Sequence, residues 1–163
     1  MRVAAAGLTL CLAMMAAPAM ADCDEGFALL FACSFPERNA EVELCRRDGL
    51  GQTSALRYSY RTAGEAELEF ETSEWTSFFR EQVRGINGLG YGTAASNKGT
   101  WYGILVDERL MFRSSEGTPS PNPAVLEVYA SEAQMQDDAA APIARRVCDP
   151  NSIEMDHDRF GPG

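Results

Sequence analysis

Hydrophobic and polar residues alternate through most of this chain, and the alternation predicts strands. At 27–35 the odd positions Phe27, Leu29, Phe31, Cys33 and Phe35 form one apolar face. At 40–45 the even positions Ala40, Val42 and Leu44 are apolar, while Glu41 and Glu43 are not. The loop Pro36–Asn39 then pairs Phe35 with Ala40, Cys33 with Val42 and Phe31 with Leu44, so the two apolar faces coincide. A second hairpin alternates Leu56, Tyr58 and Tyr60 with Arg57, Ser59 and Arg61, and returns with Leu68 and Phe70 between glutamates. Its apolar faces meet only if the turn holds an odd number of residues. Pairing Thr62 with Ala66 does this. It opposes Tyr60 to Leu68, Tyr58 to Phe70, Arg61 to Glu67 and Arg57 to Glu71. The charged side reads as a solvated sheet face, with an acidic docking surface as its functional alternative.

The pattern changes at 73–85. Trp75, Phe78, Phe79 and Val83 recur at helical spacing, with Ser73 to cap the start and Gly85 the end. This predicts one short helix whose aromatics plug the open end of a sheet. Glycines at 86–92 lack the lysine of a phosphate loop and the βαβ setting of a dinucleotide fingerprint, so they mark a bulge or bend. A third hairpin runs from Tyr91–Ser96 through a three-residue turn, Asn97-Lys98-Gly99, into Thr100–Val106. Further strands are expected at 110–114, 125–129 and 143–148, with an exposed proline-rich loop at 116–123. About eight strands and at most one short helix describe an all-β fold, a single antiparallel barrel or sandwich.

Residues 1–21 have the form of a secretory signal peptide: Arg2, an apolar run from Val3 to Ala17, and the small-x-small site Ala19-Met20-Ala21. The β domain is then 22–148, and the polar stretch 149–163 is expected to be a mobile tail. No later segment is apolar enough for a spanning helix. With the signal peptide go Cys11 and Arg2, so the net charge moves from −10 to −11. Such acidity argues against nucleic acid as a partner and fits a basic protein or an envelope component.

Four cysteines remain, and an even count in an exported chain reads as two disulfides. In the hairpin register Cys33 points inward and Cys45 outward. This favours Cys33–Cys148 with Cys23–Cys45. The alternative, Cys33–Cys45 with Cys23–Cys148, needs a bulge or an odd loop.

The chemistry-bearing residues are sparse. The lone histidine, His157, lies in the tail. Asp149, Asn151, Glu154, Asp156 and Asp158 are oxygen-rich but miss the calcium-loop pattern at Ile153 and Glu154. No catalytic residue, cofactor or metal site is assigned. The candidate binding loop is Ser96, Asn97, Lys98 and Gly99 with Trp101.

The strand positions Phe31-Ala-Cys33, Val42-Glu-Leu-Cys45, Leu56–Tyr60, Leu126–Tyr129 and Val147-Cys-Asp149 resemble a group of uncharacterised exported proteins of Gram-negative bacteria. The resemblance implies a periplasmic or secreted β domain. Size, signal peptide and disulfides are also loosely similar to periplasmic inhibitors of c-type lysozyme, with Lys98-Gly99 in place of their Lys-Gly loop. The expected function is a non-enzymatic binding module. The alternatives are a hydrolase of envelope glycans using paired carboxylates and a structural envelope protein.

Overall fold

The computed structural model describes residues 23–49, 54–81, 89–112 and 122–160. The signal-peptide segment, residues 86–88 of the glycine-rich stretch and most of the proline-rich loop lie outside these residues. Ten strands occur among the described residues, in two antiparallel sheets. The first sheet has the order β10-β1-β2-β3-β4. Here β1 is Ala28–Phe35, β2 Ala40–Arg47, β3 Ala55–Thr62, β4 Glu65–Thr72 and β10 Glu154–Met155. The second has the order β5-β6-β7-β8-β9: Trp75–Arg80, Gly90–Asn97, Thr100–Asp107, Ala124–Tyr129 and Ala144–Val147. The sheets stack face to face without closing, so the fold is a sandwich rather than a barrel.

The opening hairpin has the expected register from Phe35 to Phe31, with Phe35 opposite Ala40, Cys33 opposite Val42 and Phe31 opposite Leu44. An irregularity at Leu30 then shifts it, so that Leu29 pairs with Cys45 and Leu30 takes the core position expected of Leu29. The second hairpin meets the parity requirement differently. Thr62 pairs with Glu65 across a two-residue turn, Ala63-Gly64, whose φ angles of 51° and 82° are those of a tight hairpin turn. The odd residue is placed one step later. A bulge lets Tyr60 pair with Leu68 and Arg61 with Ala66, leaving Glu67 unpaired between them. The expected Arg61–Glu67 pair is therefore absent, while Tyr58–Phe70 and Arg57–Glu71 stand. The third hairpin likewise turns through two residues, Lys98-Gly99, with Asn97 opposite Thr100.

Of the helix predicted at 73–85, residues 75–80 form β5 instead, and 82–85, with Val83 and Gly85, lie outside the described residues. The structural reason is a seat for Phe78. Phe78 lies opposite Gly92, and a Cβ on Gly92 would come within 2.8 Å of its ring. Gly103, on β7, is the next contact of that ring. An extended β5 can place Phe78 over these bare backbones and pair fully with β6, and tertiary packing overrides the helical spacing.

Two short helices occur instead of one. Of the strand expected at 110–114, residues 110–112 belong instead to α1 (Glu108–Phe112), whose Leu110 N–H donates to the Asp107 carboxylate at 2.7 Å, and 113–114 lie outside the described residues. The second helix, α2 (Glu132–Gln136), is capped by Ser131, which accepts from Gln134 N. The expected mobile tail folds back along the first sheet. There β10 pairs with β1, and Phe160 is buried 5.6 Å from the Phe31 ring.

The disulfides are Cys33–Cys148 and Cys23–Cys45. The first ties β1 to the end of β9 and so bridges the two sheets. The second straps the N-terminal segment to β2. The main core between the sheets is built from Phe31, Phe35, Leu44 and Leu56 against Ile104, Val106 and Leu126. The second sheet is also covered on its far side. There Trp101, Tyr129 and Ala94 pack with Met135 of α2, and Leu105 with Val125. No helix among the described residues is long and apolar enough to cross a membrane.

Candidate functional site

The loop singled out in the sequence does not form one surface. Lys98 and Gly99 are exposed at the tip of the β6–β7 hairpin, and Asn97 is half-buried. Ser96 and Trp101 are buried: Ser96 N–H donates to Glu74 O at 2.9 Å, and Trp101 packs on Tyr129 and Met135. The outer face of the first sheet carries paired charges, Arg57 with Glu69 at 2.7 Å and with Asp24, and Arg47 with Glu71. His157 Nδ1 lies 3.2 Å from Met111 O, against α1. Cys23, Glu43 and Cys45 lie close together, but both sulfurs are spent in a disulfide and cannot act as thiolate ligands.

A cavity of about 280 Å³ opens where the two sheets part at one end of the sandwich. Tyr58, Tyr60 and Leu68 of the first sheet face Tyr102, Leu126 and Val128 of the second across it. Ala144 and Arg146 of the edge strand β9 close one side, and Arg38 and Glu67 stand at the rim. Each residue arrives there for a local reason. Arg38 ends the 3-10 turn Pro36–Arg38, which finishes on Asn39 in the left-handed region at φ 48°. Arg146 faces inward because Leu126, its partner on β8, does. Glu67 is the bulge residue, and bulges re-aim side chains at the margins of sheets. A wider recess of about 600 Å³, lined by Glu37, Arg38, Arg145, Arg146 and Val147, adjoins the cavity and shares its two arginines.

The aromatic wall is tightly built. The Tyr58 ring lies 5.1 Å from Tyr102 and 5.2 Å from Phe70. Tyr58 is 1 % exposed. Burial, with smaller contributions from the Tyr102 and Tyr60 phenols, pushes the Tyr58 pKa well above its ordinary value. Burial also raises that of Tyr102. These phenols therefore stay protonated and can donate. Neither Arg38 nor Arg146 has a carboxylate partner among the described residues; Arg146 donates to the Arg145 carbonyl at 2.7 Å. Arg46, Arg47, Arg57, Arg61, Arg80, Arg145 and Arg159 are all ion-paired. Glu67 and Glu37 stand at the same mouth, so the two arginines offer directional donors there rather than a strong net positive field.

A second polar group lies on the far side of the second sheet. Arg80, 4 % exposed, donates to the Met135 carbonyl and, at 3.1 Å, to Asp137 O, and stacks 5.0 Å over the Tyr129 ring. The Tyr129 hydroxyl donates to Glu127, which Arg145 approaches at 3.2 Å. This group holds α2 against the sheet. The two buried carboxylates, Glu127 and Asp107, are each engaged, by Tyr129 and by α1. Their strand positions, with Glu127 opposite Gly103 and four residues separating Gly103 from Asp107, put them about 13 Å apart along the sheet. Paired-carboxylate hydrolysis needs about 5–9.5 Å.

In the sequence Tyr58 and Tyr60 fall on an apolar strand face, and Arg38 and Arg146 carry no pattern that sets them apart. The available signal was three tyrosines at inward positions where phenylalanine or leucine would pack without a hydroxyl to satisfy. Compared with protein families, curated proteins and solved structures, the chain matches none.

Proposed function

We propose that this chain is an exported, non-enzymatic binding module whose ligand enters between the two sheets. The observation that carries this reading is the tyrosine-lined cavity with two arginines at its mouth that have no carboxylate partner among the described residues. Its volume is close to the lower end of small-molecule sites, which hold an apolar lining with a few convergent polar groups. Two disulfides in a small β domain are compatible with a periplasmic or extracellular setting. The signal-peptide pattern at 1–21 supports the same setting. Native mass spectrometry of the protein recovered from an exporting host tests both parts. A processed N-terminus and a retained small molecule are expected, the latter lost in Ala144→Trp, which fills the mouth. An intact Met1 would refute export. Absence of any retained mass, together with tyrosine resonances unmoved by a panel of small molecules, would refute the site.

A second reading rests on the hairpin tip. Lys98-Gly99 is exposed on an acidic protein, as a lysozyme-inhibitor-like contact with a basic enzyme requires. Inhibition of a c-type lysozyme, lost in Lys98→Ala, would favour it over the cavity.

A further inference from the structure

The cavity and the recess beside it differ in chemistry, and the difference specifies a ligand. The inner compartment is walled by tyrosine rings, Leu68, Leu126 and Val128. At about 30 Å³ for each water-sized group, its 280 Å³ holds roughly nine such groups. This is enough for a short alkyl chain or a single substituted ring. It is too small for a two-chain lipid.

The outer compartment begins at Arg38 and Arg146, which belong to both spaces. A planar guanidinium matches a carboxylate through parallel N–H bonds. The charges around the mouth limit what the arginines can hold. Glu67 stands on the cavity rim and Glu37 in the recess, while Arg145 is engaged by Glu127. Two free arginines facing two glutamates leave little net field for a dianion, but they still offer directional donors to a single carboxylate. The bulge at Glu67 adds selection. It brings an anion to the rim of an otherwise tyrosine- and arginine-lined mouth, and so disfavours phosphate more than carboxylate.

Resting on the binding reading above, we infer that the site takes a small monocarboxylate with an apolar body of about eight carbons. The carboxylate sits between Arg38 and Arg146, and the body lies against Tyr58, Tyr102 and Leu126. The apolar part supplies burial, and the arginines supply selection of the head group. Both arginines lie on segments fixed at other points, Arg38 on the turn between paired strands and Arg146 on β9 two residues before the Cys148 tether, so their backbones are anchored at the mouth.

The test titrates the full chain, after export, with octanoate, octan-1-ol and octyl phosphate, following tyrosine resonances by NMR and affinity by calorimetry. Octanoate should bind with the Tyr58 and Tyr102 resonances moving, and about tenfold or more tighter than octan-1-ol. Octyl phosphate should bind more weakly than octanoate. In Arg38→Ala/Arg146→Gln the preference for octanoate over octan-1-ol should collapse towards one, while octan-1-ol binds as before. Equal binding of octanoate and octan-1-ol would overturn the carboxylate assignment and leave the cavity as a neutral apolar site. Tighter binding of octyl phosphate would overturn the restriction to a monoanion. Persistence of the preference in the double variant would overturn the role of the arginines. Failure of all three probes to move any tyrosine resonance would overturn the inference and the binding site together. Arg38 is exposed, so the single variant Arg38→Ala keeps the test open should the double variant not fold.

Discussion

The first sheet buries one face and shows the other to water, whereas the second is buried on both. On the first, Phe31, Val42, Tyr58 and Leu44 point inward, while Glu69, Glu71, Arg57 and Arg47 pair across the outside. On the second, Ile104 and Val106 fill the main core, and their neighbours Leu105 and Trp101 are buried against Val125, Tyr129 and Met135 on the reverse. A one-sided sheet writes its structure as alternation. A two-sided sheet replaces the polar positions with apolar ones and must specify its packing by shape, here with Phe78 over Gly92 and Gly103. The two should accordingly respond to different kinds of damage.

The largest effect should come from cutting the bond between the sheets. Replacing Cys33 and Cys148 together by alanine removes a tie across 115 positions and should cost about 4–5 kcal/mol. Replacing Cys23 and Cys45, 22 positions apart and joining the N-terminal segment to β2 of the first sheet, should cost about 3 kcal/mol. Urea unfolding of both double variants checks the order, and equal losses would mean that the inter-sheet tie has no special weight.

Charge removal should separate the two outer faces next. Arg80→Ala strips buried carbonyls of α2 of their donor and should cost about 2–4 kcal/mol. Arg57→Ala, on the solvated face, should cost less than about 1 kcal/mol. Comparable losses in thermal denaturation would erase the distinction. Packing gives a sharper contrast. Gly92→Ala puts a Cβ 2.8 Å from the Phe78 ring and 2.9 Å from the Ile104 carbonyl, and should cost about 1–3 kcal/mol. Gly103→Ala, at 3.2 Å from the same ring, should cost less. Gly64→Ala meets no atom within 4 Å and should suffer only from its φ of 82°.

The smallest effect is in alkali. An unfolded tyrosine ionises near pH 10, while Tyr58 in the fold stays protonated well above that. Above pH 10 the unfolded state therefore holds fewer protons, and stability falls as pH rises, by about 1.4 kcal/mol per pH unit for each such phenol. Below pH 10 the contribution is fully present. Tyr58→Phe should flatten this slope between about pH 10 and 11 without altering it at neutral pH. An unchanged slope would show that the phenol is not sequestered.

The contrast between the sheets also explains what the sequence disclosed. The alternation of β2 against Phe31, Cys33 and Phe35 of β1 determines a register, and from it the inward Cys33 and outward Cys45, so the favoured disulfide pairing follows. Alternation at β3 and β4 shows that one extra residue is needed without saying where, because an odd loop and a bulge satisfy parity equally. The bulge at Glu67 is a choice made by the turn. On β5, Trp75, Phe78 and Phe79 imitate a helical stripe, since a strand covered on one side and partly on the other has no polar period to betray it. The cavity was least legible of all. Arg38 and Arg146 lie near opposite ends of the domain and share a mouth only because β9 ends on the bridge to Cys33.

That bridge has a temporal consequence. A chain made from its N-terminus presents Cys23, Cys33 and Cys45 long before Cys148. During that interval three thiols compete, and any early bond that includes Cys33 is a mistake. The first hairpin limits the error by turning Cys33 to one side of the ribbon and Cys45 to the other, leaving Cys45 to the exposed N-terminal segment. The free edge of β1 likewise waits for β10, the last of the described strands to arrive. Until then the nascent domain is an open meander with a reactive sulfur at its centre, and its quality control falls to whatever oxidant and isomerase surround it.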